Sequence, residues 1–197
     1  MMRVIETALP GVLIVEPKVH RDARGFFLEV YHAARLASCG IDTVFVQDNH
    51  SRSVRHTLRG LHWQYRRPQA KLVRVLRGEI YDVAVDIRRG AATFGKWVGV
   101  YLSDDNMRQT FIPQGFAHGF CVLTETADVE YKCSDYYDPG GEAGLPWNDT
   151  AVGVAWPIAA PILSAKDSAY EPLAKHDRYL PAFAPGGSLV WYPGDDR

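Results

Sequence analysis

The chain has 197 residues, enough for one domain of ordinary size, and its 47% hydrophobic and 23% charged residues are the balance of a soluble globular protein. Its 22 basic and 23 acidic residues leave a net charge of −1, without the basic excess of a nucleic-acid binder. No signal-like run opens the chain, and its uncharged stretch at residues 151–163 is shorter than the roughly 20 residues of a membrane helix, so a cytoplasmic protein is expected.

In chain order, residues 11–17 predict a strand stopped by proline, and 26–31 a second strand opened by the turn-like Asp22-Ala-Arg-Gly25. Residues 33–39 are helix formers and predict one short helix, with Gly40 placed to end it. Residues 44–47, 58–64 and 71–76 predict strands, and Arg77-Gly78-Glu79 a hairpin turn into a strand at 80–86. Residues 96–102, 109–112, 119–123 and 128–133 continue the series. Beyond about residue 135 the prolines multiply and Gly186-Gly187 follows, which predicts loop and short helix packed over one end. Many short strands with one small helix predict an all-β sandwich or barrel and no βαβ sheet. The expected organisation is a single domain over 1–197, with a β core at about 9–135 and a tail at about 136–197.

Reactive side chains concentrate in Leu58-Arg-Gly-Leu-His-Trp-Gln64, at Lys71, in Pro113-Gln-Gly-Phe-Ala-His-Gly119 and at Tyr131. A lone histidine in an apolar strand reads as a satisfied core residue. His62 and His118 together, with Arg59 and Lys71 on neighbouring strands, read as a pocket for an anion, because buried cations need a partner. Pro113-x-Gly-x-x-His118 resembles the second motif of the cupin superfamily, in which such a histidine joins a His-x-His pair and a Glu on a metal. Here Gln64 stands where the second histidine of the pair would be. A neutral amide is a poor ligand for a transition metal, so no metal is expected.

Asp167 reads either as a solvated turn residue or as the carboxylate that orients a catalytic histidine, and sequence separation leaves that choice open. His20, His32, His50, His56 and His176 take surface roles by default, and Cys39, Cys121 and Cys133, with no CxxC pair, read as small buried hydrophobes. Strict alternation would put His62 and Arg59 on opposite faces of one strand. For both to reach one pocket the backbone must be irregular at Gly60, where a bulge is predicted.

Further ordered segments are Glu16-Pro-Lys18, Asp22-Ala-Arg-Gly-Phe-Phe27, Gln47-Asp-Asn49, Lys71-Leu-Val-Arg-Val75, Asp82-Val-Ala-Val-Asp86, Tyr131-Lys-Cys-Ser-Asp-Tyr-Tyr137, Trp147-Asn-Asp149 and Leu163-Ser-Ala-Lys-Asp167. With the segments above, they resemble the dTDP-4-dehydrorhamnose 3,5-epimerases of deoxysugar biosynthesis over about residues 9–183. The resemblance implies a cupin-type jelly roll with a few short helices, a homodimer, and no metal or organic cofactor. It implies epimerisation at C3 and C5 of dTDP-4-dehydro-6-deoxy-D-glucose, giving dTDP-4-dehydro-L-rhamnose. It makes His62 the base, Asp167 its dyad partner, Tyr131 the acid on the opposite face and Lys71 the group near the C4 oxygen. Arg24, Glu29, Gln47, Asn49, Arg59, His118, Glu142 and Lys166 fall where the family binds the nucleotide-sugar.

The residue types suit this chemistry on their own terms. Protons at C3 and C5 are acidified by the C4 ketone, histidine is a base poised near neutral pH, and a cation stabilises the enolate. A C3-only or C5-only epimerase shares these residues and stays open as an alternative. A metal-dependent cupin enzyme is a more distant one, against which Gln64 counts.

Overall fold

Alternating strands carry one apolar face each, and two such faces are buried most simply by stacking sheet on sheet. The computed structural model describes residues 2–184 and 188–191; Pro185, Gly186 and Gly187 of the expected tail lie outside the described residues. The strands are β1 (Arg3–Glu6), β2 (Leu13–Glu16), β3 (Val19–Asp22) and β4 (Gly25–Leu28), followed by the helix α1 (Ala33–Ala37). Then come β5 (Gln47–Val54), β6 (Leu58–Gln64), β7 (Lys71–Arg77), β8 (Glu79–Asp86) and β9 (Trp97–Ser103). The series closes with β10 (Gln109–Ile112), β11 (Phe116–Val122), β12 (Thr126–Cys133) and β13 (Glu142–Gly144), and a two-residue pair, Ala182–Phe183 with Leu189–Val190.

A six-stranded sheet runs β1-β2-β10-β7-β12-β5, and a five-stranded sheet runs β13-β6-β11-β8-β9, all pairs antiparallel. Period-two alternation sorts their side chains into three apolar layers. Val73, Val75, Ile80, Ala84, Phe116, Phe120 and Val129 fill the space between the sheets. On the outer face of the five-stranded sheet, Tyr81, Val83, Val85 and Cys121 pack under the tail residues Leu145, Val152, Leu173 and Leu180. On the outer face of the six-stranded sheet, Val15, Leu72 and Phe111 pack under Leu36 of α1 and Ile41. The tail is therefore the cover of a hydrophobic layer.

The expected β6 and β10 match the observed strands to the residue. Several expectations need correction. The strand expected at 44–47 is instead β5, which begins at Gln47, and the segment before it is irregular. Strands β1 and β3 were not expected, and the helix ends at Ala37, before Cys39. His176, expected at the surface, is 9% exposed and stands edge-on to Trp63, while Cys39, expected buried, is exposed.

Candidate active site

The site begins with a change of parity inside β6. Leu58 packs in the outer layer with Leu61 and Trp63, although one of the three has even and two have odd numbers. On β11, His118 faces His62 and Phe120 faces Arg59, so three steps on β6 span two on its partner. The extra residue is a bulge centred on Gly60, as predicted. Gly60 has φ of +111°, and a Cβ there would lie 2.5 Å from Gly119 Cα and 2.6 Å from the His118 carbonyl oxygen. Only glycine fits this close backbone approach. The result puts Arg59 and His62, of unlike parity, on the inner face together.

That inner face opens at one end of the sandwich into a cavity of about 600 Å³. The five-stranded sheet contributes Arg59, His62 and Gln64 from β6, His118 and Phe120 from β11, and Glu142 from β13. The six-stranded sheet contributes Gln47, Asn49 and Ser51 from β5, Lys71 from β7, and Tyr131 and Cys133 from β12. Ser164, Lys166 and Asp167 close it from the tail. Arg24 and Glu29 are not brought to this cavity. Arg24 lies in the β3–β4 turn, paired with Asp22 at 2.6 Å, and Glu29 pairs with Arg35 at 2.7 Å.

His62 Nε2 is hydrogen-bonded to Asp167 Oδ1. The other carboxylate oxygen of Asp167 accepts from Ser164 Oγ at 2.7 Å. Burial pushes the Asp167 pKa up, but the hydrogen bonds from His62 and Ser164 outweigh it and the net direction is down. An ionised Asp167 fixes the His62 tautomer with its proton on Nε2, which leaves Nδ1 as the basic nitrogen.

Lys71 and Tyr131 face this dyad from the opposite sheet, the Lys71 Nζ 5.9 Å from the Tyr131 ring centroid. Burial lowers the Lys71 pKa, with the neighbouring Cys133, Glu142 and Asp82 opposing. Burial likewise raises the Tyr131 pKa, with Cys133 adding to it, so the phenol stays protonated at neutral pH. His118 is buried and its Nε2 lies 2.6 Å from Asp82 Oδ1; burial lowers its pKa more than Asp82 raises it, which keeps it neutral.

At the mouth, Lys166 donates to Glu142 Oε1, which also accepts from the Tyr170 hydroxyl at 2.9 Å. Arg59 Nε donates to Ser53 Oγ at 3.1 Å. Gln64 has a different task from metal binding: its Oε1 accepts the Asp138 backbone N–H at 3.2 Å, anchoring the segment that leads to β13. Among the described residues no three His, Cys, Asp or Glu side chains converge as a metal set.

Asp82 and Tyr170 are structural features of the site with no role expected from the sequence. For Asp82 a signal existed, a carboxylate in the apolar run Ile80-Tyr-Asp-Val-Ala-Val-Asp86. For Tyr170 none did.

Comparison with known proteins shows the family. A family model described as dTDP-4-dehydrorhamnose 3,5-epimerase matches residues 6–175. The dTDP-4-dehydrorhamnose 3,5-epimerase of Methanothermobacter thermautotrophicus is 49% identical over 181 residues, spanning 90% of this chain and 98% of that protein. That of Salmonella typhimurium is 54% identical over 172 residues, spanning 86% of this chain and 94% of that protein. The crystal structure of a Legionella pneumophila dTDP-6-deoxy-D-glucose-3,5-epimerase in complex with dTDP-4-keto-L-rhamnose matches with a TM-score of 0.91 and 48% identity, covering 94% of this chain and 100% of that one. The two-sheet sandwich is thus a cupin-like jelly roll, and the chain belongs to the dTDP-4-dehydrorhamnose 3,5-epimerase family.

Proposed function

We propose that this chain epimerises dTDP-4-dehydro-6-deoxy-D-glucose at C3 and C5 to dTDP-4-dehydro-L-rhamnose, with His62 as base and Tyr131 as acid. The observation that carries this reading is that the two side chains line one cavity from opposite sheets. Inversion at a carbon α to a ketone needs a proton removed on one face and returned on the other. His62 Nδ1 takes the proton from carbon, and the Asp167 carboxylate stabilises the imidazolium that forms. The electron pair moves onto the C4 oxygen as an enolate, where the Lys71 ammonium stabilises it in a pocket of low dielectric. Tyr131 then delivers its phenolic proton to the other face of the same carbon.

Burial lowers the Lys71 pKa. The diphosphate of the substrate adds negative charge, which favours the ammonium form. The terminal guanidinium nitrogens of Arg59 suit phosphate oxygens, and the Glu142–Lys166 pair with Gln47 and Asn49 offers donors and acceptors to the rest of the nucleotide-sugar.

We further read the protein as a single domain and a cytoplasmic homodimer. Phe26 and Phe27, 56% and 72% exposed on the β3–β4 hairpin, are apolar surface that a second copy would cover. Arg24 sits on that same hairpin, and Glu29 follows it directly, so a docked hairpin would bring both toward the partner's cavity.

Proton NMR of the reaction in deuterated water tests the activity. Deuterium entering at both C3 and C5, with rhamno-configured product, is the expected result. Entry at one carbon makes the protein a mono-epimerase, and entry at neither removes the reading.

A further inference from the structure

We propose that Tyr170 is a positioning residue with two separable tasks: its ring holds the His62 imidazole, and its hydroxyl holds the Glu142–Lys166 pair. This rests on the epimerase reading for His62, whereas the hydroxyl's task can be tested by nucleotide binding alone.

Tyr170 directly follows the short 3-10 turn Asp167–Ala169, where the backbone becomes extended and turns the side chain back toward β6. Its ring stands edge-on to His62, with centroids 5.5 Å apart and planes at 66°. The ring also fills a notch that exists only because residue 144 is glycine. A Cβ on Gly144 would come within 2.5 Å of two ring carbons. Gly144 is also the β13 partner of His62 in the sheet register. The ring is therefore seated on the backbone beside His62 and against the imidazole itself. Asp167 holds His62 through Nε2, and Tyr170 limits how far the ring plane can swing.

The hydroxyl acts elsewhere. It donates to Glu142 Oε1, the oxygen that also receives Lys166 Nζ. Burial pushes the Glu142 pKa up, but Lys166, the His62 charge and this hydroxyl together bring it below the usual value, so the carboxylate is ionised. Burial and the neighbouring Glu142 push the Tyr170 pKa up, which makes the phenol a fixed donor and no participant in proton transfer. Tyr170 is absent from the cavity lining, so it works only through the groups it holds.

The test uses Tyr170→Phe, which keeps the ring, and Tyr170→Leu, which removes both features. Tyr170→Phe is expected to keep kcat within about twofold while KM and the dTDP dissociation constant, measured by calorimetry, rise about three- to tenfold, the net scale of one ordinary hydrogen bond, because the loss reaches the nucleotide only through the Glu142–Lys166 pair. Tyr170→Leu is expected to lower kcat by about tenfold or more, since small misplacements of a base are costly. Rescue of kcat by Phe but not of KM is the signature of two tasks.

Loss of kcat in Tyr170→Phe, unchanged dTDP binding in that variant, or wild-type kcat in a folded Tyr170→Leu each overturns the proposal. Should the Leu variant fail to fold, Gly144→Ala displaces the same ring, and unimpaired kcat there overturns it equally. If the wild-type protein epimerises nothing, the functional reading falls. The dTDP measurement still decides on the hydroxyl.

Discussion

Asp167 lies 105 residues beyond His62, yet its carboxylate holds the His62 imidazole while accepting from Ser164 Oγ. The bulge at Gly60 turns His62 inward to meet this carboxylate, and the Ser164 hydroxyl supplies a donor that helps keep it ionised. Asp167→Asn keeps the size of this side chain and removes its charge. We expect kcat to fall by about 10²- to 10⁴-fold with dTDP binding retained, measured by steady-state kinetics and calorimetry. A loss of less than tenfold would remove the dyad from the mechanism.

Gly60→Ala attacks the bulge itself. The added methyl meets the backbone of Gly119 and His118, which cannot swing aside as a flexible side chain would, and the positive φ costs about 1–2 kcal/mol in addition. Thermal unfolding is expected to show a marked drop in Tm, together with loss of activity. A variant as stable and active as wild type would mean that β6 can adopt another register.

Lys71→Met exchanges function for stability. Burial lowers the Lys71 pKa, and among the described residues no carboxylate forms an ion pair with its amine. The unfolded chain thus binds this proton more tightly than the folded one, so stability rises with pH in the range between the folded and unfolded values. The cost is full below the folded value and disappears as the pH passes the ordinary lysine value near 10.4. Lys71→Met should therefore melt higher than wild type at pH 7, with the gap closing toward pH 10, while epimerisation is lost. A variant less stable than wild type at pH 7 would show that the ammonium is well solvated.

Much of the fold is legible in the sequence where one face of a strand is apolar, as in β8 and β10. It is illegible where function has replaced that face. The inward residues of β5 are Gln47, Asn49, Ser51 and Ser53, polar because three of them line the cavity, so no alternation marks the strand. The apolar residues before it, Val44 and Val46, are 76% and 41% exposed and drew the expected strand too early. In the site, Gly60 could be read because two residues of unlike parity had to meet. The pairing of His62 with Asp167 follows only from the tail folding over the sheet, and Tyr170 from a notch at Gly144 that sequence spacing does not reveal. Arg24 and Glu29, expected at the site, lie outside the cavity of one chain and carry the expectation of a second.

In the proposed mechanism, proton removal and proton return fall to different sheets, to His62 and Tyr131. The most direct measurement compares solvent exchange with inversion in Tyr131→Phe, following the dTDP-4-dehydro sugar by proton NMR in deuterated water. With the base intact and the acid removed, deuterium should still enter at C3 and C5 with retained configuration, while formation of the rhamno product falls by about 10²-fold or more. Equal loss of exchange and inversion would contradict the account, because it would place Tyr131 in binding or in the first proton transfer.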